Sequence, residues 1–429
     1  MKTTTTREKI DLPFGHKQVT LRLPSRNFAG LIDALGGIEL EDLKRALWRS
    51  LDDPIGTSSL TKLVAQKKPR RAVVIVSDHT RRIPNYSLVL DILMDCFADG
   101  GVSPRDLTML VATGNHRPPS RRECLELYGE RPCRLMNLVF HDSRRGCLAL
   151  GRTGTGERFG VNRLLVESDF VLATGKITPH YLAGFSGGRK AVMPGCASRE
   201  SIEANHSLVA RRRNIPGRLS GNPIHRQMTR VAALVGIDFL VNLIPTPGGG
   251  LAGIVSGHWD LAWRRGVRLC RRVWSAKVGQ PADCLIASAG GYPYDINLYQ
   301  MQRILNNLEA AVKPGGTILL VGECREGVGQ EGFGHWMKEN TINNILATPE
   351  GMITGEGHRA YATAMVMRER RILLLSRLSA RQASRMKFRP VSDLREGLRI
   401  FRRNHGSNYR CYVAPRANAV LIQPKFKQQ

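Results

Sequence analysis

Short apolar runs closed by polar, glycine-containing clusters alternate along this chain with stretches of helical periodicity. Arg71-Ala-Val-Val-Ile-Val-Ser77 reads as a strand buried on both faces. After Pro84-Asn85, apolar Leu90, Leu93 and Phe97 recur at helical spacing and stop at Gly100-Gly101, which predicts a helix with a glycine terminus. Leu107 to Ala112 is the next predicted strand, Ser120 is placed to cap a short helix, and Asp169 to Ala173 is a further strand. Asp283 to Ser288 and Thr317 to Val321 are strands that flank a helix from about Asn297 to Val312. This alternation predicts an α/β fold with mainly parallel, doubly wound, Rossmann-like sheets. The 429 residues suffice for two cores, and the division expected is an N-terminal α/β domain over 1–265 and a C-terminal α/β domain over 280–429. Between them, Leu261 to Pro281 reads as an arginine-rich, helical linker.

The polar clusters fall where each predicted strand ends. Ser77-Asp-His-Thr-Arg81 follows the first, Thr113-Gly-Asn-His-Arg-Pro118 the second, Gly175 to Lys190 the third, and Gly290-Gly-Tyr-Pro-Tyr-Asp295 the fourth. Open α/β sheets bind ligands at their carboxyl edge, so the four clusters are expected to converge on one cleft between the domains. The third is the richest, with Gly184, Gly187 and Gly188 giving conformational freedom and His180 and Lys190 offering a proton carrier and an amine. His206 follows in Glu203-Ala-Asn-His206.

Composition narrows the class. A hydrophobic content of 42% with 23% charged residues is that of a globular protein, no apolar run reaches the length of a membrane span, and the first residues lack the apolar core of a signal peptide. A cytoplasmic location is expected, with no membrane partner. The nine cysteines never form a Cys-x-x-Cys pair, which predicts reduced thiols. A net charge of +28 raises nucleic acid as a partner, but the basic residues lie in short arginine runs (Arg211 to Arg213, Arg264 to Arg272, Arg368 to Arg371, Arg399 to Arg403) without aromatic interleaving. They read as solvated surface whose field steers an anionic substrate, with no specific nucleic-acid partner. Gly184-Phe-Ser-Gly-Gly-Arg-Lys-Ala lacks the spacing and the Ser or Thr after Lys of a phosphate loop. Gly151 to Gly160 precedes strand-like residues and reads as a hairpin turn. Neither His-Glu-x-x-His nor Gly-x-Ser-x-Gly occurs.

Taken together, Ser77-Asp-x-Thr-Arg81, Thr113-Gly-x-His-Arg-Pro118, the long Gly175 to Gly195 segment, Asn205-His206, Gly221-Asn-Pro223 and Gly290-Gly-Tyr-Pro-x-Asp-x-Asn-x-Tyr-Gln300 resemble the nickel-dependent lactate racemase family in content and order. The resemblance runs to at least His358-Arg-Ala360. It implies an isomerase, a racemase or epimerase of small anionic 2-hydroxy acids. The implied cofactor is a nickel-pincer nucleotide, a pyridinium-3-thioamide-5-thiocarboxylic acid mononucleotide carrying Ni(II), attached covalently at Lys190, with His206 completing a square-planar metal site. The enzymes that make this cofactor are implied partners. In the family mechanism the α-hydrogen leaves as hydride to the cofactor while a base takes the hydroxyl proton, giving a transient 2-keto acid.

The residues accommodate those roles. His116 and His180 are the candidate acid and base, Arg81 offers a bidentate fork for a carboxylate or developing ketone oxygen, and Asp78 can orient a His or Arg. Thr80 and the amides around Gly187 and Gly188 are candidates to hold the nucleotide phosphate. Gln300 and Arg303 share a helix face at i,i+3 and are implied to contact the substrate; the family's lactate racemases have Lys where this chain has Arg303. That exchange predicts an altered pocket and a different preference among 2-hydroxy acids. Two other readings share these residues: a dehydrogenase-like oxidoreductase acting on 2-hydroxy acids, and a non-catalytic cofactor-binding or maturation protein.

Overall fold

A computed structural model describes residues 6–152, 158–211 and 216–424. The tip of the Gly151 to Gly160 segment, Arg212 and Arg213 lie outside the described residues; the strands on either side of that tip, Cys147–Arg152 and Arg158–Asn162, pair antiparallel. The fold is α/β with mainly parallel sheets, and the chain divides into two compact units, each with a six-stranded sheet.

One unit comprises Gly36–His206 and Arg218–Val273. Its sheet runs in the order Leu251–Gly257, Phe239–Pro245, Phe170–Lys176, Ala72–Ser77, Leu107–Ala112, Asn137–Phe140, and only the first pair is antiparallel. Ala72 to Val76 are all at most 2% exposed, which is why the run is apolar without alternation. The connections from Ala72–Ser77 lead outward through Leu107–Ala112 to Asn137–Phe140, and the chain then returns to Phe170–Lys176 on the other side. The order therefore reverses between Ala72–Ser77 and Phe170–Lys176, the switch point at which doubly wound sheets open a crevice. The helix Tyr86–Asp99 ends at Gly100, and Ser120 and Glu123 form a reciprocal capping box at the start of Arg121–Tyr128.

The arginine-rich segment is helical as expected and the division between the units falls within it, after Val273, but it packs as part of a core. It forms the helix Trp259–Trp274, whose Trp263, Val267, Cys270 and Val273 are nearly or wholly buried while Arg264, Arg265, Arg268, Arg271 and Arg272 face outward. The apolar stripe at helical spacing is ordinary for a core helix, and the density of arginine obscured it.

The other unit contains the chain up to Leu35, Ser207–Gly217 and the residues from Trp274 onward. The strands of its six-stranded sheet are all parallel, in the order Arg389–Pro390, Arg371–Leu375, Val312–Val321, Ala282–Ser288, Cys411–Ala414, Phe28–Leu31. The N-terminal strand Phe28–Leu31 thus completes a sheet otherwise made by the C-terminal part of the chain. The helix expected from Asn297 to Val312 forms as Leu298–Met301 and Arg303–Leu308, and Val312 already opens a strand. The interruption lies at Gln302, which is fully buried and accepts a hydrogen bond from the Thr363 hydroxyl at 2.9 Å. All nine cysteines are free thiols, and no helix among the described residues is long and apolar enough to cross a membrane.

Candidate active site

At the end of the Ala72–Ser77 strand the chain turns into a single 3-10 turn, His79–Arg81, and leaves Asp78 almost completely buried at 1% exposure. Three side chains converge on its carboxylate. His116 Nδ1 lies 2.6 Å from Oδ2, the Thr80 hydroxyl donates to Oδ1 at 2.8 Å, and Arg81 Nη1 donates to Oδ1 at 3.2 Å. Burial pushes the Asp78 carboxyl up, but the His116 hydrogen bond, the Arg81 and His116 charges and the Thr80 hydroxyl outweigh it, and the group is held at about 2. An ionised carboxylate at that distance fixes the neutral His116 ring with its proton on Nδ1 and its lone pair on Nε2.

His116 arrives on the loop after Leu107–Ala112, and this loop is tied to the one bearing Lys190. The Gly114 amide donates to the Gly195 carbonyl at 2.9 Å, the Gly195 amide to the Lys190 carbonyl at 3.1 Å, and the Lys190 amide to the Gly187 carbonyl at 3.1 Å. Lys190 is half-buried in the 3-10 turn Gly188–Ala191.

The two glycines before Lys190 take the positive φ that their freedom allows. Gly187 and Gly188 have φ of +70° and +53°, and a Cβ would fall 2.5 Å from Asn242 Oδ1 at the first and 2.6 Å from the Trp263 ring at the second. The close approach is made by the protein's own core. The Gly188 amide, expected to be open to a nucleotide phosphate, donates instead to Asn242 Oδ1 at 2.8 Å. Thr80 likewise spends its hydroxyl proton on Asp78.

His180 sits on a two-residue strand, Pro179–His180, paired with Gly184–Phe185. Its Nδ1 accepts the amide protons of Leu182 at 3.2 Å and Ala183 at 3.1 Å. The neutral ring therefore carries its proton on Nε2, the opposite tautomer to His116. His206 occupies the last turn of the helix Arg199–Ser207 and is half-buried. Among the described residues no group of three His, Cys, Asp or Glu side chains stands ready to hold a metal ion.

Asp78, Thr80, Arg81, His116, His180, Lys190 and His206 thus belong to one unit, and Gln300 and Arg303 to the other. In the latter, the Asn297 side chain caps the Gln300 amide at 3.0 Å, and the Leu298 and Tyr299 amides bond to the Gly327 and Val328 carbonyls. Gln302 keeps helical angles (φ −56°, ψ −28°), so Gln300 and Arg303 remain neighbours, each half-buried.

Nothing local in the sequence marks the residues that brace these loops. Asn242 is fully buried behind Gly188, and Arg189 is fully buried with its guanidinium 3.9 Å from the centre of the Trp263 ring. Asp295 is 1% exposed and accepts the amide protons of Gly15 at 2.6 Å and Glu323 at 2.9 Å. Arg189 and Asp295 stand inside the motifs already quoted, but their burial is a property of the fold.

Sequence models of the lactate racemase N-terminal domain and the lactate racemase C-terminal domain match residues 14–216 and 278–422. A lactate racemase from Thermoanaerobacterium thermosaccharolyticum is 31% identical over 97% of this chain and 99% of its own. The chain belongs to the lactate racemase family. A second lactate racemase, from Lactiplantibacillus plantarum, is 33% identical over 76% of this chain and 77% of its own. The structure of the Thermoanaerobacterium lactate racemase apoprotein superposes with a TM-score of 0.90 at 30% identity, over 97% of this chain and 100% of that one. A Thermotoga maritima protein shares the fold at a TM-score of 0.65 and 17% identity, over 90% of this chain and 100% of that one. As a member of this family the protein is an isomerase, a racemase, and the family resemblance drawn from the motifs holds along nearly the whole chain.

Proposed function

We propose that this protein racemises or epimerises a small 2-hydroxy acid, with lactate, named for its relatives, as the first substrate to test. The observation that carries the reading is the pair of histidines held in opposite tautomers in one unit. His116 presents a lone pair on Nε2 with Asp78 behind it, and His180 presents a proton on Nε2 with two amides behind it. Inverting a carbon that bears hydroxyl and hydrogen requires a proton to be taken from the hydroxyl on one side and returned on the other. His116 takes the proton, and Asp78 stabilises the imidazolium that results. Arg81, with one Nη committed to Asp78, keeps further N–H groups for the substrate carboxylate.

The residues present fit the nickel-pincer nucleotide implied by the family. Lys190, an amine on a turn pinned by Asn242, would carry the group, and His206, a half-buried imidazole at a helix end, would offer its nickel a protein ligand. When bound, that group supplies hydride acceptance and return. Thr80 stays a candidate for its phosphate through its oxygen lone pairs.

The test is protein produced beside the cofactor's biosynthetic enzymes, given one lactate enantiomer without oxidant. Conversion to the racemate, with the α-hydrogen retained in D₂O, is expected. Loaded protein that leaves lactate and every other 2-hydroxy acid tested intact, or that needs an external oxidant, overturns the proposal. Where lactate turns over poorly, a panel of monoacids, hydroxy diacids and sugar acids locates the substrate, and Arg303→Lys is expected to change the rank order because a guanidinium grips a carboxylate with two bonds where an ammonium offers a point charge.

A further inference from the structure

The Gly221-Asn-Pro223 motif has no part in the chemistry above, yet its asparagine reaches His180 through one peptide group. Asn222 is 2% exposed. Its Oδ1 accepts the His225 amide proton at 3.2 Å and so caps the helix Pro223–Val235, which fixes the orientation of the side-chain amide and sends Nδ2 toward carbonyls. Nδ2 donates to the Leu182 carbonyl at 2.7 Å and to the Arg218 carbonyl at 3.2 Å. The Leu182 carbonyl and the Ala183 amide are two ends of one peptide unit, and that amide donates to His180 Nδ1 at 3.1 Å. The next carbonyl, that of Ala183, accepts from Arg189 Nη2 at 2.8 Å, and Arg189 Nε donates to His225 Nδ1 at 3.0 Å. The ring closes where it began, on the helix that Asn222 caps.

We propose that Asn222, with Arg189 bracing the adjoining carbonyl, is a positioning residue that locks His180 into the tautomer with its proton on Nε2; the catalytic weight of this lock rests on the acid/base reading of His180 given above. Three physical steps support it. A hydrogen bond to a peptide carbonyl polarises the unit and strengthens its N–H as a donor. The Leu182–Ala183 turn, held by Asn222 and Arg189 from beneath, cannot swing its amides away from the imidazole. A proton placed on Nδ1 would point at the two N–H groups that now bond to its lone pair, a mismatch that costs free energy.

The test separates tautomer from turnover. Asn222→Ser keeps an oxygen able to cap Pro223–Val235 on a side chain too short to reach the Leu182 carbonyl, and Asn222→Asp, ionised, keeps the capping oxygen with no proton to donate, so either one that folds serves. In ¹⁵N-labelled apoprotein, two-bond proton–nitrogen correlations report which imidazole nitrogen of His180 is protonated, with His180→Gln assigning the signals. The expected result is an Nε2–H ring in the wild type and a mixed population in the variants, and in the loaded enzyme a fall in kcat of roughly tenfold or more with KM unchanged. Wild-type signals showing Nδ1 protonated, or variant signals identical to wild type, overturn the proposal. Altered tautomers with undiminished turnover uphold the lock and overturn the role of His180 as acid, and so distinguish the two.

Discussion

Replacing Asp78 by Asn tests the centre of the site through stability and turnover together. Asn has the shape of the neutral acid, so the substitution removes what ionisation contributes and little else. The carboxyl, ordinarily near 3.8, is held at about 2 in the fold. At 1.36 kcal/mol per pKa unit, the folded state favours the ionised form by about 2 kcal/mol. Because the folded pKa is depressed, that stabilisation is complete above about pH 4 and is lost as the pH falls toward 2. Asp78→Asn should therefore unfold more readily than wild type at pH 7, by about 2 kcal/mol, with the gap narrowing below pH 4. Denaturant titrations at both pH values measure it. The amide can also hydrogen-bond His116 Nδ1 without stabilising an imidazolium, so turnover of the loaded protein, followed by chiral chromatography, should drop about 10²–10⁴-fold. A variant that folds, carries cofactor and racemises at the wild-type rate would refute the pairing of Asp78 with His116 as catalytic machinery.

Three further outcomes are expected. Lys190→Ala, made beside the biosynthetic enzymes, should show no cofactor mass adduct in intact-protein mass spectrometry, whereas His206→Ala should keep the adduct and lose nickel by metal analysis; an adduct on Lys190→Ala places the attachment elsewhere. Gly188→Ala adds a Cβ 2.6 Å from the Trp263 ring at a φ of +53°, so its melting temperature should fall by an amount corresponding to about 2 kcal/mol or more, and an unchanged melting curve would show that the turn is pliable. His225 is held down at about 3 by burial and by the charges of Arg189 and Arg264, so the unfolded chain binds the extra proton between pH 6.5 and 3 and stability declines as the pH falls through that window; His225→Gln should flatten this slope, measured by denaturant midpoints from pH 7 to 4.

What was legible in the chain follows from what local sequence records. The strands Ala72–Ser77 and Leu107–Ala112 could be read because both faces are buried and every position but Ser77 and Thr108 is apolar, and the Ser120 cap because its chemistry is local. The clusters after those strands were readable as neighbours because the two parallel strands end at one edge of the sheet, and Asp78 and His116 meet there. Three features escaped. Trp259–Trp274 is a core helix whose arginines dominate the composition, Val312 begins a strand where helical residues run on without a break signal, and the strand Phe28–Leu31 joins a sheet built from residues far along the chain. Each depends on contacts between residues distant in sequence.

The glycine loop shows how such contacts alter a chemical inference. Gly187 and Gly188 beside His180 and Lys190 suggested a backbone left bare either for a ligand's close approach or for positive φ, and both do take positive φ. What approaches is Asn242 on one side and Trp263 on the other, and the Gly188 amide is already spent on Asn242. The absence of side chains serves rigidity: the turn is clamped against a buried amide and a buried indole, and the same indole carries the Arg189 guanidinium on its face. An amine that must present itself to one partner in one direction gains from such a clamp, since freedom removed before binding is not lost during it. The Arg189 bond to the Ala183 carbonyl extends the clamp to the turn that holds His180, so Lys190 and His180 share one support. A substitution in that support, far from any reacting atom, should disturb both.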